Sequence, residues 1–124
     1  MAEYYATICW ERENALFKDN KYSRAHRWQF DGGAEVRASS SPHVVPLPLS
    51  DPHAVDPEEA FVASLSSCHM LWFLHLAADC GVVVTGYHDK ARGILAENSD
   101  GTGQVNGIIS EVTIRRPVPS ELTT

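Results

Sequence analysis

Three cysteines, Cys9, Cys68 and Cys80, and six histidines carry the richest side-chain chemistry in this sequence. A cysteine thiolate attacks peroxide oxygen and disulfides, and thiolate together with imidazole can bind zinc. A zinc site needs three or four convergent ligands, and the sequence holds neither a Cys-x-x-Cys nor a His-x-x-x-His pair. No metal and no cofactor are therefore expected. His75, seven residues after Cys68, falls on nearly the same helical face, but two groups are too few. An odd number of cysteines without framework spacing suits reduced thiols better than a disulfide scaffold. For each thiol the plain reading is a small core residue, because free cysteine is among the most buried residue types.

Composition narrows the classes of partner. The chain has 124 residues, 44% of them hydrophobic, which suits one domain with a core of its own. Its formal net charge of −6 leaves no broad basic surface for phosphate backbones or anionic lipid, so nucleic acid is excluded as an expected partner. The opening MAEYYATICWERE has neither a basic n-region nor an apolar h-region, and a cytoplasmic location is expected.

The elements that must position these side chains can be read in order. Residues 4–12 alternate, with Tyr4, Ala6, Ile8 and Trp10 on one side and Tyr5, Thr7, Cys9 and Glu11 on the other, which predicts a half-buried strand. A polar connector leads to HRWQF-DGG-AEVRAS, where Asp31, Gly32 and Gly33 mark a hairpin turn. Residues 39–56 carry Pro42, Pro46, Pro48 and Pro52, which forbid a regular helix or a central strand. A loop of this length tends to be a functional cover or binding segment rather than a plain linker.

The clearest element follows. Asp56 suits an N-cap, Pro57 the first helical position and Glu59 a capping box, while Gly81 is placed to end the helix. A helix over 57–80 would be about 36 Å long. From Ala60 to Ala78 it has no charged residue and is apolar on every face, so it must be surrounded. A membrane span has the minimum length, but Ser64, Ser66, Ser67, His69 and His75 weaken it and no basic cluster flanks it. A second copy of the helix packed across a two-fold axis is the better solution, and no membrane is expected.

Two strand-like stretches follow, VVVTGYHDKARGILAE and QVNGIISEVTIRRPV, separated by the turn signal Asn98-Ser99-Asp100-Gly101. Strands, helix, strands is an α+β order. At PSELTT, Ser120 and Glu121 read as the start of a further helix, so the single domain over 1–124 is expected to be incomplete at its C-terminal end.

The segment DPEEAFVASLSSCHMLWFL, residues 56–74, resembles the central-helix motif of the osmotically inducible protein C and organic hydroperoxide resistance (OsmC/Ohr) family. The shared features are a Pro-Glu pair opening the helix, small residues through its middle, and a cysteine ten positions after the glutamate. The likeness extends to the YSRAHRWQFDGG hairpin, the SSSPHVVPLPLSDP loop and the YHDKARG strand. It implies an intertwined homodimer of α+β subunits that reduces organic hydroperoxides through a cysteine flanked by an arginine and a glutamate. Carried over by position, the cysteine is Cys68, the glutamate Glu58 and the arginine Arg24, with Arg27 in reserve.

Such partners answer a physical need. A free cysteine with a pKa of about 8.5 is only a few per cent ionised at neutral pH. The helix dipole fades within the first turn, and burial among Met70, Leu71 and Trp72 would oppose ionisation. Lowering a thiol pKa by about two units asks for about 2.7 kcal/mol, which one close guanidinium supplies. Glu58, about three turns back along the helix, reaches the sulfur only through the arginine, so its expected task is to orient Arg24; the alternative is simple stabilisation of the helix N-terminus.

The sulfenic acid formed by peroxide attack must be returned to thiol. The family's second cysteine lies on a further C-terminal helix that this chain does not match. Cys80 would be about 18 Å along the same helix, beyond disulfide reach. Either the sequence is an incomplete two-cysteine enzyme, the favoured explanation, or an external thiol or dithiol recycles Cys68. The rival reading is a non-catalytic dimer with a binding or structural role.

Overall fold

The computed structural model describes residues 1–97, 99–100 and 103–118. The order is β1 (Ala6–Cys9), β2 (His26–Phe30), β3 (Glu35–Ala38), α1 (Pro57–Asp79), β4 (Gly86–Asp89), β5 (Arg92–Glu97), β6 (Gly103–Ile109) and β7 (Val112–Arg115), an α+β arrangement with one long helix. The chain forms two compact units, Met1–Ala60 and Phe61–Thr124. The helix start expected at Ser120-Glu121 lies outside the described residues.

In the first unit β1, β2 and β3 form an antiparallel sheet in sequence order, with Cys9 opposite Arg27 and His26 opposite Ala38. Strand β1 is shorter than the alternation over 4–12 predicts. Gly33, at φ 94°, turns the β2–β3 hairpin, and the Phe30 N–H donates to the Ala34 carbonyl at 3.0 Å to close it. The proline-rich loop is stitched to the sheet rather than draped over it. The Val55 N–H donates to the Arg37 carbonyl at 2.9 Å, the Asp51 N–H to Ser39 Oγ at 2.9 Å, and Arg37 pairs with Asp51 at 2.8 Å. Ala38, Ser39, Ser41, Ser50 and Asp56 are buried there, so this segment forms the tightest part of the unit.

Helix α1 begins and ends where its capping residues dictate. The Glu59 N–H donates to Asp56 Oδ1 at 2.8 Å, and the Asp56 N–H to Glu59 Oε1 at 3.2 Å, a reciprocal capping box. At the other end Gly81 takes φ 72°. The Val82 N–H donates to the Ala77 carbonyl at 2.9 Å and the Gly81 N–H to the Ala78 carbonyl at 3.1 Å, the paired bonds of a Schellman motif.

In the second unit β4 pairs with β7 and β5 with β6, both antiparallel. The two stretches read as single strands are each broken in two, at Lys90-Ala91 and at Ser110-Glu111. The Lys90 N–H still donates to the Glu111 carbonyl at 3.1 Å, so the pair is one long hairpin with an interruption rather than two separate ones. A register shift between Ile94 and Leu95 adds a second irregularity. Val82 to Thr85, expected to open the first strand, lie outside it. Ser99 and Asp100 of the expected turn are in a turn, while Asn98 and Gly101 lie outside the described residues.

One side of α1, at Val62, Ser66, Met70, Phe73 and Ala77, is half-buried, and two of these residues touch β4. The Ser66 hydroxyl donates to Asp89 Oδ2 at 2.6 Å, and the Phe73 ring lies 5.7 Å from that of Tyr87. The opposite side carries Phe61, Leu65, Cys68, Trp72 and Leu76, spaced four, three, four and four residues apart, and all are exposed. No residue of α1 is buried. Among the described residues Ala38 is the one buried apolar side chain, so a single chain does not bury the core its composition allows.

Candidate functional site

Cys68 lies midway along α1 with its thiol free and exposed. In the single chain Met70, Leu71 and Trp72 do not bury it. Ser66 is bonded to Asp89, and Cys68, two residues on and about 200° round the helix, turns away from β4. Leu71 and Trp72 are themselves 61% and 63% exposed. Trp72 stands edge-on to His75 with ring centroids 6.0 Å apart, and His75 Nε2 lies 3.4 Å from Asp79.

Arg24 and Glu58 fall in the first unit. Among the described residues they do not pair: the Arg24 guanidinium donates through Nη1 to the carbonyl of Asn20 at 2.9 Å and to that of Tyr22. Its Cζ sits 3.6 Å above the centre of the Tyr22 ring, a cation–π stack. In the single chain the arginine is thus held by backbone carbonyls and an aromatic face, not by Glu58. Arg27 points to the exposed face of β2, where it pairs with Glu35 at 3.1 Å. Of the two arginines, Arg24 alone is left without a carboxylate among the described residues.

Glu58 is half-buried in the first turn of α1 and makes no ion pair among the described residues. Its neighbour Glu59 carries out the capping. The hydrogen bond that Glu59 shares with the Asp56 side chain raises its carboxyl above the ordinary range, against the lowering effect of the Asp56 N–H. Cys9 is exposed, and its sulfur lies 3.8 Å from Gln29 Oε1 rather than near another thiol. Cys80 follows the last turn of α1 and is also exposed. No group of three or more His, Cys, Asp or Glu side chains suited to a metal occurs among the described residues.

Two features escaped the sequence. One is Asp89, which accepts hydrogen bonds from Ser66 at 2.6 Å and Ser110 at 3.1 Å and fixes the rotation of α1. The Ser66 bond above all, helped by Ser110, the Glu111 backbone and the charge of His69, holds its carboxyl below the ordinary range against the opposing effect of burial. One of three serines in an apolar helix and an aspartate in a strand gave the only signals, and neither names the other. The second is a pocket of about 450 Å³ in the first unit, lined by Ile8, Trp10, Phe17, Tyr22, Arg24 and His26. Its aromatic residues are spread over a connector without periodicity, so no pattern gathers them.

No protein-family model matches the chain, and no curated protein does. A solved structure does: that of an OsmC-like protein of unknown function from Vibrio cholerae O1 biovar eltor, 48% identical, covering 98% of this chain and 83% of that one, with a TM-score of 0.87.

Proposed function

Since this chain belongs to the OsmC-like family, we propose that it is a homodimeric thiol peroxidase that reduces organic hydroperoxides at Cys68. The observation that carries the reading is the free, exposed thiol of Cys68 in the middle of a charge-free stretch of α1, flanked by Phe61, Leu65 and Trp72. The thiolate attacks the terminal oxygen of the hydroperoxide and the O–O bond breaks. The alkoxide takes up a proton and leaves as the alcohol, and sulfur remains as the sulfenic acid. An external dithiol then condenses with the sulfenic acid, releasing water, and its second thiol frees Cys68 as it closes its own disulfide. Arg24, whose Nε and Nη2 have no partner among the described residues, supplies positive charge to the thiolate and the departing oxygen, and Glu58 orients it. Apolar neighbours favour an organic over a small polar peroxide.

The dimer belongs to the same proposal. The exposed Phe61, Leu65, Trp72 and Leu76 form a seam along α1 with Cys68 within it; a second copy packs along that seam across a two-fold axis and leaves the thiol reachable by peroxide at the interface. By length and composition α1 is also long and apolar enough to cross a membrane. The Asp89 carboxylate against Ser66 favours protein over lipid as the surroundings, because an ionised group beside mid-helix is costly in hydrocarbon. A reducing, cytoplasmic setting suits three free thiols.

One observation favours a non-catalytic dimer: Cys80, about 18 Å along the helix axis from Cys68, is beyond disulfide reach of it. A steady-state assay with cumene hydroperoxide and dihydrolipoamide decides between them. The peroxidase reading expects consumption that Cys68→Ser abolishes and Arg24→Gln reduces by about a hundredfold, as for loss of one charge-stabilising group. Equal background rates for all three proteins refute it.

A further inference from the structure

The pocket of the first unit has the make-up of a ligand site rather than a packing defect. Three aromatic rings wall it: Phe17 and Tyr22 stack at 4.8 Å with planes 23° apart, and Trp10 meets Tyr22 edge-on at 5.6 Å. The Trp10 indole N–H donates to the Ser23 carbonyl at 2.9 Å, which fixes its ring. Phe17 holds φ 75°, a left-handed conformation that is costly for a bulky residue and persists only where the surroundings impose it. Glu13 and Asn20, at φ 58° and 62°, bend the same connector around the pocket.

One charge faces this aromatic wall. The Arg24 guanidinium is fixed by two Nη1 bonds and by its stack on Tyr22, and its Nε and Nη2 edge has no carboxylate among the described residues. His26 is engaged at both ring nitrogens: Nδ1 lies 2.8 Å from the Arg24 carbonyl, and Nε2 accepts the Trp28 indole N–H at 3.2 Å. A preset guanidinium edge selects a planar, two-oxygen anion, and aromatic walls select a flat ring.

We propose that this open pocket binds small aryl carboxylates, with Arg24 taking the carboxylate and the ring packing against Trp10, Phe17 and Tyr22. The inference goes beyond the peroxidase reading and does not require Cys68 to react; because both use the same edge of Arg24, a bound aryl carboxylate takes the arginine in place of the thiolate. Calorimetric titration of the full chain with trans-cinnamate, cinnamyl alcohol and octanoate tests it. No peroxide enters the titration, so its failure is separate from a failure of the thiol chemistry.

Cinnamate is expected to bind one per chain, and the uncharged alcohol and the ring-free octanoate each about tenfold or more weakly, as loss of a charge-assisted pair or of the ring contacts demands. Arg24→Gln is expected to weaken cinnamate by about tenfold or more, with Arg24→Lys between it and the wild type because the charge stays and the fork is lost. Phe17→Gly leaves the left-handed backbone accessible while removing a wall, so binding falls although the protein still melts cooperatively. Absence of cinnamate binding at millimolar concentration, as expected if a second copy of the chain fills the pocket, overturns the proposal. So do unchanged affinity in Arg24→Gln or Phe17→Gly, and octanoate binding as tightly as cinnamate.

Discussion

Replacing Trp72 with alanine is the perturbation whose magnitude follows most directly from the exposed seam of α1. Trp72 is 63% exposed in the single chain. For a side chain of about 250 Å², that is about 160 Å² that a second copy covers, and at about 25 cal/mol per Å² its burial contributes about 4 kcal/mol per protomer. Alanine keeps a methyl group, and ordering of side chains at the interface offsets part of the rest, so about half is expected to reach the dissociation constant. Two-fold symmetry counts the change twice, giving about 4 kcal/mol per dimer, or about a thousandfold in Kd. Sedimentation equilibrium over a range of protein concentrations measures it directly. A wild type that stays monomeric at tens of micromolar, or a Trp72→Ala protein with the Kd of the wild type, would refute the seam as the dimer contact.

Other expectations concern the framework of the site. Asp56→Ala removes the acceptor for the Glu59 N–H and is expected to cost about 1 kcal/mol, or about 4 °C in Tm at fixed protein concentration. Asp56→Asn keeps an acceptor and should recover most of that in the same thermal melt. The Asp89 carboxyl, held below its ordinary value of 3.8 mainly by Ser66, contributes stability that is fully present above that value and fades as pH falls through the lower folded one. Ser66→Ala should therefore melt below the wild type at about pH 6 and converge with it towards about pH 2; a gap that stays constant across the range contradicts the assignment.

The sequence was most legible where a single residue type has a single conformational meaning. Asp56, Pro57 and Gly81 bracket α1 because only a cap, a preset φ and a left-handed residue serve those positions, and the ends fall within a residue of the reading. Gly33 marked the hairpin turn for the same reason. The breaks at Lys90-Ala91 and Ser110-Glu111 were illegible, because no glycine or proline stands there and the interruption arises from cross-strand geometry. The exposure of Cys68 in the single chain was not legible, because it depends on which side of an evenly apolar helix meets β4. Ser66 and Asp89, 23 residues apart, decide that by a hydrogen bond that no local pattern encodes. Arg24 was found by likeness to a family, while its actual supports, the Asn20 and Tyr22 carbonyls and the Tyr22 ring, follow from a connector without periodicity.

Selectivity among the three thiols is the sharpest test of the chemistry assigned to Cys68. All three cysteines are exposed, so accessibility alone would let each one oxidise. Treatment with one equivalent of cumene hydroperoxide in the presence of dimedone, followed by peptide mass spectrometry, reads the sulfenic acid at each position. Dimedone on Cys68 alone is the predicted result. Even labelling of Cys9, Cys68 and Cys80, or none on Cys68, contradicts the account.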